Sequence, residues 1–232
     1  VVMDEQFNSA VTDIFRNEYL SPRSPYTTLQ IPKQGIGEWC HPLHTVDIDD
    51  SGLRSSVQKG VLNTKLGVPF RTPAEGQNIA FTSLWDNYPD SLTVSLKGKA
   101  SRAYLLMAGS TNHMQCHIDN GLIRVYYKDG TCDKMALRNP DNWAPIEHIF
   151  FEDDLAFNRH APALYRLRLK TGEISNNFGE ELGFPGASRE LDGGAAILLE
   201  MPLNPDKKLS HLVLETLSND VVIGLMGITL QR

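Results

Sequence analysis

The sequence of 232 residues contains only three cysteines, Cys40, Cys116 and Cys132. An odd number leaves at least one thiol outside any disulfide, and no two cysteines have the C-x-x-C spacing of zinc knuckles and redox motifs. The chain is also long enough to bury a core without cross-links. The composition therefore excludes a disulfide scaffold, while a single bridge between Cys116 and Cys132 across a hairpin stays an alternative to buried or free thiols.

Positive charge is less abundant than negative charge, with 22 lysine and arginine residues against 28 aspartate and glutamate residues and a formal net charge of -6. An acidic surface repels phosphate backbones and anionic lipids, so we expect neither nucleic acid nor a membrane as a partner. No stretch approaches the ~18 consecutive apolar residues that indicate a membrane helix. The first residues also lack the basic and apolar regions of a signal peptide. A neutral ligand such as a sugar is compatible with this charge.

Motifs for nucleophilic or phosphate chemistry are missing as well. The sequence has no Gly-x-Ser-x-Gly, no Gly-Lys-Ser/Thr and no Gly-x-Gly-x-x-Gly. Acidic residues in predicted loops are the remaining candidates for a catalytic pair, which glycosidases hold about 5–10 Å apart, although clustered loop acids are usually only solvated. These acids are Glu147, Glu152, Asp153 and Asp154, close in sequence to Trp143, and Glu180 with Glu181.

One helical pattern is present, near the N terminus. Four apolar residues recur at the spacing i, i+4, i+7 and i+8, which places them on one face of an α-helix. They are Phe7, Val11, Ile14 and Phe15. Pro22 and Pro25 disfavour helix in the residues before them. We therefore predict that residues 1–42 form a short N-terminal helix and an extended strap, the tail of a preceding region.

From about Leu43 onward, apolar runs become short and turn signals recur, a pattern typical of an antiparallel β-sandwich. Alternation at residues 92–96 indicates a strand with one covered face. Continuous apolar runs at 104–108 and 221–228 indicate central strands that are covered on both faces. The predicted strands are 44–48, 79–83, 91–96, 103–108, 121–127, 131–137, 164–169, 195–200, 209–216 and 221–230.

Several short motifs follow one another along residues 43–232. They are the Gly-x-Pro-Phe motif at 67–70, the strands at 91–96 and 103–109, the Asp-Gly hairpin at 127–131, the Asn-x-x-Asn-Trp loop at 139–143 and the closing strand that ends at 227–230. In this order they resemble the galactose-binding-like domains appended to bacterial glycoside hydrolases. The segments 83–90 and 107–112 more closely resemble the C-terminal region of large, poorly characterised bacterial glycoside-hydrolase-like proteins.

This resemblance implies a jelly-roll β-sandwich of the galactose-binding-like type over residues 43–232. It also implies a polysaccharide context, export to the periplasm or the cell exterior, and a neighbouring catalytic domain in the same polypeptide. The resemblance implies no catalytic residue in this chain. The leading hypothesis is a non-catalytic accessory domain that binds carbohydrate or packs against the catalytic domain. The alternatives are a glycoside hydrolase or lyase that uses the loop carboxylates, and a purely structural spacer.

Carbohydrate binding requires aromatic faces for the C–H surfaces of sugars, together with amides and carboxylates for the hydroxyl groups. Two predicted loops offer this combination, and the alternative is that their tryptophans fill the ends of the sandwich. The candidate residues are Trp85, Asp86, Asn87 and Tyr88 in one loop, and Asn142 and Trp143 in the other.

A candidate cation site lies in the turn that contains Asp47, Asp49 and Asp50. Three carboxylates in a Gly-containing turn could hold a structural Ca²⁺, but the turn lacks the final glutamate of an EF-hand loop. We favour an ordinary Asp/Gly turn, and we expect no other cofactor.

Two histidine pairs have the spacing that helices use to bind metals, His41 with His44 and His113 with His117. Neither pair lies in a predicted helix, and on an extended strand residues i and i+4 are about 13 Å apart. We therefore do not expect a transition-metal site from either pair.

Overall fold

Thirteen antiparallel β-strands supply nearly all of the regular structure in the residues that the computed structural model describes, namely 1–16, 47–84, 87–111, 115–149, 159–178, 191–219 and 221–232. This confirms the predicted all-β class. The strands are β1 (Val57–Gln58), β2 (Val61–Asn63), β3 (Pro69–Arg71), β4 (Ala80–Ser83), β5 (Ser91–Ser95), β6 (Arg102–Thr111), β7 (Asp119–Tyr127), β8 (Cys132–Arg138), β9 (Tyr165–Arg168), β10 (Ile174–Ser175), β11 (Ala195–Pro202), β12 (Leu209–Thr216) and β13 (Val221–Gln231). A 3-10 helix (Val11–Asp13) and the α-helix α1 (Ser51–Ser55) precede them.

Two of the three sheets form the sandwich. One has six strands in the order β10-β9-β11-β6-β13-β4, and the other has four strands in the order β5-β12-β7-β8. Both contribute apolar side chains to a shared first core between them, where alternate residues of each strand point inward. Members of this first core include Leu105, Ile197, Ile223 and Leu225 from the larger sheet, Val94, Ile123, Val125, Leu212 and Leu214 from the smaller sheet, and Trp143.

A second core covers the opposite face of the six-stranded sheet. Here the small sheet β1-β2-β3, helix α1 and the N-terminal segment pack against side chains of β4, β6, β11 and β13. Members of this second core include Val11, Ile14, Leu53, Leu62 and Phe70 on the covering side, and Phe81, Leu106, Leu198, Val222 and Met226 on the sheet. The six-stranded sheet is therefore buried on both faces, as the apolar runs of β6 and β13 predict.

Within residues 1–16, the described part of the N-terminal segment, the predicted apolar residues are buried, but the helix is a 3-10 helix of three residues in place of the predicted α-helix. Its backbone is used for pairing with the sheet, because Ser9 forms an antiparallel bridge with Ile79. The side-chain amide of Asn8 also donates to the Phe81 carbonyl and accepts from the Phe81 N–H, both at 2.9 Å. These hydrogen bonds to the sheet take the place of those within an α-helix, which explains why this segment does not form the predicted helix.

The strands predicted from residue 79 onward are all present, with small shifts at their ends. Strands β1, β2, β3 and β10 and helix α1 are not predicted from the sequence, since each is only two to five residues long. The predicted strand at 44–48 and the strap that ends at residue 42 lie wholly or mostly outside the described residues. Cys116 and Cys132 are not joined by a disulfide. No helix in the described part of the chain is long and apolar enough to cross a membrane.

Candidate functional site

A cleft of about 460 Å³ opens where the N-terminal segment meets the loops on either side of β4. Two of the predicted sugar-binding residues, Asn87 and Tyr88, lie in its wall, and the rest of the wall comes from elements that are distant in sequence. We call it the N-terminal cleft; its lining residues are Asn8, Ser9, Ala10, Asp13, Gly76, Gln77, Asn87 and Tyr88.

The wall of the N-terminal cleft is fixed by contacts with the six-stranded sheet. The ring of Tyr88 is 7% exposed and packs against Phe81, with ring centroids 5.1 Å apart. Its hydroxyl lies 3.5 Å from Oγ of Ser9. Asn8 is held by its two hydrogen bonds to the Phe81 backbone. Tyr88 and Asn8 therefore form the rigid wall of the cleft, and Tyr88 does not offer an open ring face.

Three other side chains of the N-terminal cleft carry polar groups that solvent reaches. Gln77 is exposed, and Asp13 and Asn87 are partly exposed. Together they contribute one carboxylate and two amides, which are the groups that hydrogen-bond to sugar hydroxyls. Trp85 and Asp86 lie outside the described residues, directly before Asn87 in the chain.

The second predicted loop has a structural role in this conformation. Trp143 is completely buried in the first core, with its ring against Gly109. Oδ1 of Asn142 accepts the backbone N–H of Arg138 at 2.7 Å, and its Nδ2 donates to the carbonyl of Ala136 at 2.8 Å. Both residues hold the loop to β8 and the core, and Trp143 offers no exposed ring face to a sugar.

Two of the three aspartates of the predicted calcium turn accept hydrogen bonds from protein donors. Oδ1 of Asp49 accepts the N–H of Ser51 at 2.9 Å, and hydrogen bonds from Ser51 hold the pKa of Asp49 below its usual range. Oδ2 of Asp50 accepts from Nε of Arg54 and Nδ2 of Asn78, both at 2.8 Å. Asp47 is exposed.

Of the loop acids considered for catalysis, Glu147 lies within the described residues, and it is completely buried. It lies 3.4 Å from Oγ of Ser110, which donates to it. The buried guanidinium of Arg166 donates to the carbonyls of Pro145 at 2.6 Å and His148 at 2.7 Å. Burial lowers the pKa of Arg166, and the negative charge of Glu147 opposes this shift. Glu147 is thus part of a buried structural network.

The remaining loop acids, Glu152, Asp153, Asp154, Glu180 and Glu181, lie outside the described residues.

Two groups of residues were not found by sequence reasoning. One is the contribution of Asp13 and Gln77 to the N-terminal cleft, and the other is a convergence of His117, Asp141 and His160. In both groups the members come from separate parts of the chain, Asp13 from the 3-10 helix and the others from loops, so no local spacing brings them together before the sheets are assembled.

Comparison of the chain with models of known families, with curated proteins and with solved structures finds no match.

Proposed function

We propose that this chain is a non-catalytic accessory β-sandwich that binds carbohydrate in the N-terminal cleft. The observation that carries the proposal is the lining of that cleft, where Asp13, Gln77 and Asn87 bring a carboxylate and two amides to one solvent-accessible surface. Sugar recognition depends on such planar groups because each can hydrogen-bond to two neighbouring hydroxyls. The net charge of -6 also favours a neutral ligand over an anionic one.

The wider setting of this proposal rests on the resemblance of the sequence motifs. It comprises a jelly-roll domain of the galactose-binding-like type, an exported glycan-processing protein, and a catalytic domain in the same polypeptide against which this chain packs. Binding at the N-terminal cleft does not depend on that setting and can be tested with the chain alone.

A glycan-array screen of the purified chain, followed by titration calorimetry with the best ligand, tests the proposal. We expect saturable binding to one class of glycan and no turnover of it. Loss of a hydrogen bond to a charged group costs about 1.5–3 kcal/mol, so Asp13→Ala should weaken binding about tenfold or more. Gln77→Ala should weaken it by a smaller factor, because its amide is neutral.

The matched control is Asp206→Ala, which removes an exposed carboxylate from a residue that does not line the N-terminal cleft. It should leave sugar affinity unchanged. An empty array, or equal affinity of Asp13→Ala and the wild type, would overturn binding at this cleft. Hydrolysis or elimination of a bound glycan would overturn the non-catalytic assignment and favour the loop carboxylates.

A further inference from the structure

Three potential metal ligands converge at the surface from three separate loops. His117 precedes β7, Asp141 follows β8, and His160 precedes β9. One ligand atom from each lies within 4.8 Å of the other two. Nδ1 of His117 is 3.9 Å from Oδ2 of Asp141, and Nδ1 of His160 is 3.7 Å from Oδ1 of Asp141. We call these three residues the histidine cluster.

These separations are longer than hydrogen bonds, so the side chains of the histidine cluster approach one another without bonding directly. The two imidazole rings lie with their centroids 5.0 Å apart and their planes at 47°. Ligand atoms that bind one tetrahedral zinc ion at about 2.0–2.1 Å lie ~3.3 Å apart. An ion therefore requires each histidine to approach Asp141 by roughly half an ångström, and the ligand atoms of the two histidines, which lie within 4.8 Å of each other, to approach by up to about 1.5 Å. Surface side chains can do this by rotation about their χ angles.

Backbone contacts hold the loops of the histidine cluster together. The N–H of His117 donates to the carbonyl of Asn139 at 2.7 Å, and Cys116 forms a parallel bridge with Asn139. The N–H of His160 donates to Oδ1 of Asp141 at 2.7 Å, which orients the carboxylate. Contacts of this kind orient the ligands of metal sites before the ion binds.

The backbone of His117 is a further sign of constraint. Its φ of 56° lies in the left-handed region, which non-glycine residues seldom adopt, and one other described non-glycine residue, Lys59, shares it. Such conformations persist where the surrounding structure imposes them, and they concentrate at functional sites.

The histidine cluster contains one carboxylate, Asp141, which attracts a cation, while the positive charge of Arg138 nearby opposes that attraction. Arg138 is a nearby positive group, and its Nε pairs with Oδ1 of Asp119 at 2.5 Å. Its guanidinium thus has a partner other than Asp141. The side chains of Asp141, His117 and His160 are 20%, 30% and 66% exposed, so an ion can reach all three from solvent.

We propose that His117, Asp141 and His160 bind one divalent transition-metal ion of the zinc class. Imidazole nitrogen is a ligand for Zn²⁺, Co²⁺, Ni²⁺ and Cu²⁺, whereas Ca²⁺ and Mg²⁺ prefer oxygen throughout. Three protein ligands are the number found in catalytic zinc sites, and structural sites use four. The histidine cluster therefore leaves at least one coordination position for water or an external ligand. It shares no residue with the N-terminal cleft and does not depend on the proposed function.

Titration of the purified full chain with Co²⁺, followed by visible absorption, and with Zn²⁺, followed by calorimetry, tests this proposal. We expect one equivalent of each ion to bind and Ca²⁺ not to compete. His117→Asn, His160→Ala and Asp141→Asn should each lower the affinity at least tenfold. Asparagine is chosen at residue 117 because it tolerates a positive φ, and at residue 141 because it retains an acceptor for the His160 N–H.

The control variant is His211→Ala, since His211 stacks on Tyr126 with ring centroids 4.7 Å apart and lies outside the histidine cluster. It should bind both ions as the wild type does. Near-UV circular dichroism in the presence of chelator checks that every variant is folded. Failure of the wild type to bind one equivalent, or wild-type affinity in a His117→Asn/His160→Ala double variant, would overturn the site.

A separate measurement tests the open coordination position. Azide added to the Co²⁺-loaded protein should change the visible spectrum, because it replaces the water on the ion. An unchanged spectrum would overturn the open position.

Discussion

The six-stranded and the four-stranded sheets of this protein are both antiparallel, but they differ in how many faces they bury. In the larger sheet, residues 105–111 of β6 and 221–228 of β13 are buried without interruption. In the smaller sheet, β7 and β12 alternate between buried and partly exposed residues. The outer face of the smaller sheet meets solvent, whereas the outer face of the larger one carries the second core.

The comparison shows that the polarity of the outer-face residues of a strand indicates whether another layer covers that face. In β13 both faces are covered on either side of a bulge between Leu225 and Gly227. Before the bulge the odd-numbered residues Val221 and Ile223 face the first core, and after it Ile228 does, because one extra residue changes the alternation. The strand continues to bury both faces throughout, since both cores extend along it.

Both proposed sites lie outside the central strands. The N-terminal cleft is built on the segment that covers the larger sheet, and the histidine cluster is built on loops that leave the strands. In both proposals the sheets form the frame and the binding groups lie on the connections, as is common for functional residues.

The largest difference in stability loss between the two sheets is expected when a buried arginine of the larger sheet and a partly exposed arginine of the smaller sheet are each replaced by alanine. Arg166→Ala in β9 removes the charged donor of the Pro145 and His148 carbonyls, and it leaves Glu147 buried without the nearby guanidinium. We expect a loss of about 3–5 kcal/mol in the free energy of unfolding, measured by urea denaturation.

The matched variant is Arg124→Ala in β7, which removes a partly exposed ion pair with Glu215 on the outer face of the smaller sheet. It should cost less than about 1 kcal/mol. Equal losses for the two variants would contradict the view that the larger sheet is buried on both faces.

A smaller difference in stability loss is expected when a glycine that allows close packing in each sheet is replaced by alanine. A Cβ atom at Gly109 in β6 would lie 2.0 Å from the Val222 carbonyl oxygen and 2.8 Å from the Trp143 ring. Since neither the paired backbone nor the buried indole can move away, Gly109→Ala should destabilise by about 3 kcal/mol in thermal or urea unfolding.

The control is Gly121→Ala in β7, where the nearest atom is the terminal Cδ1 of Ile223 at 2.4 Å. That methyl group can rotate, although the Glu215 carbonyl at 3.0 Å limits the space. We expect a loss of about 1 kcal/mol. A larger loss for Gly121→Ala than for Gly109→Ala would show that the smaller sheet is the more tightly constrained one.

The smallest difference in stability loss is expected when one valine on the outer face of each sheet is replaced by threonine. Val222 in β13 is fully buried in the second core, and Val213 in β12 is partly exposed. Val→Thr keeps the shape and adds a hydroxyl, so Val222→Thr should destabilise by about 1–2 kcal/mol because the hydroxyl is buried among apolar groups. Val213→Thr should change stability by less than about 0.5 kcal/mol. Similar values in urea unfolding would indicate that solvent reaches the second core.

Much of the fold could be predicted from the sequence because strands carry local signals. Alternation in β5, the continuous apolar runs of β6 and β13, and the Asp-Gly hairpin between β7 and β8 are all visible in the chain and all confirmed. The N-terminal helix prediction was wrong in type, although its residues Phe7, Val11, Ile14 and Phe15 are buried as expected. The spacing of apolar residues predicted burial correctly here. The backbone conformation depends on the hydrogen bonds that the segment forms with the sheet, and the sequence spacing does not specify those.

The sequence by itself determined the all-β class, most strand positions and the burial of β6 and β13 on both faces, since these depend on residues within a few positions of one another. Only the tertiary structure decided that Trp143 fills the core, that Asp13 and Gln77 join Asn87 in one cleft, and that His117, Asp141 and His160 converge. Those groupings depend on which loops the paired sheets bring together. No pattern of neighbouring residues contains that information, because the partners are separated by 10 to 74 residues.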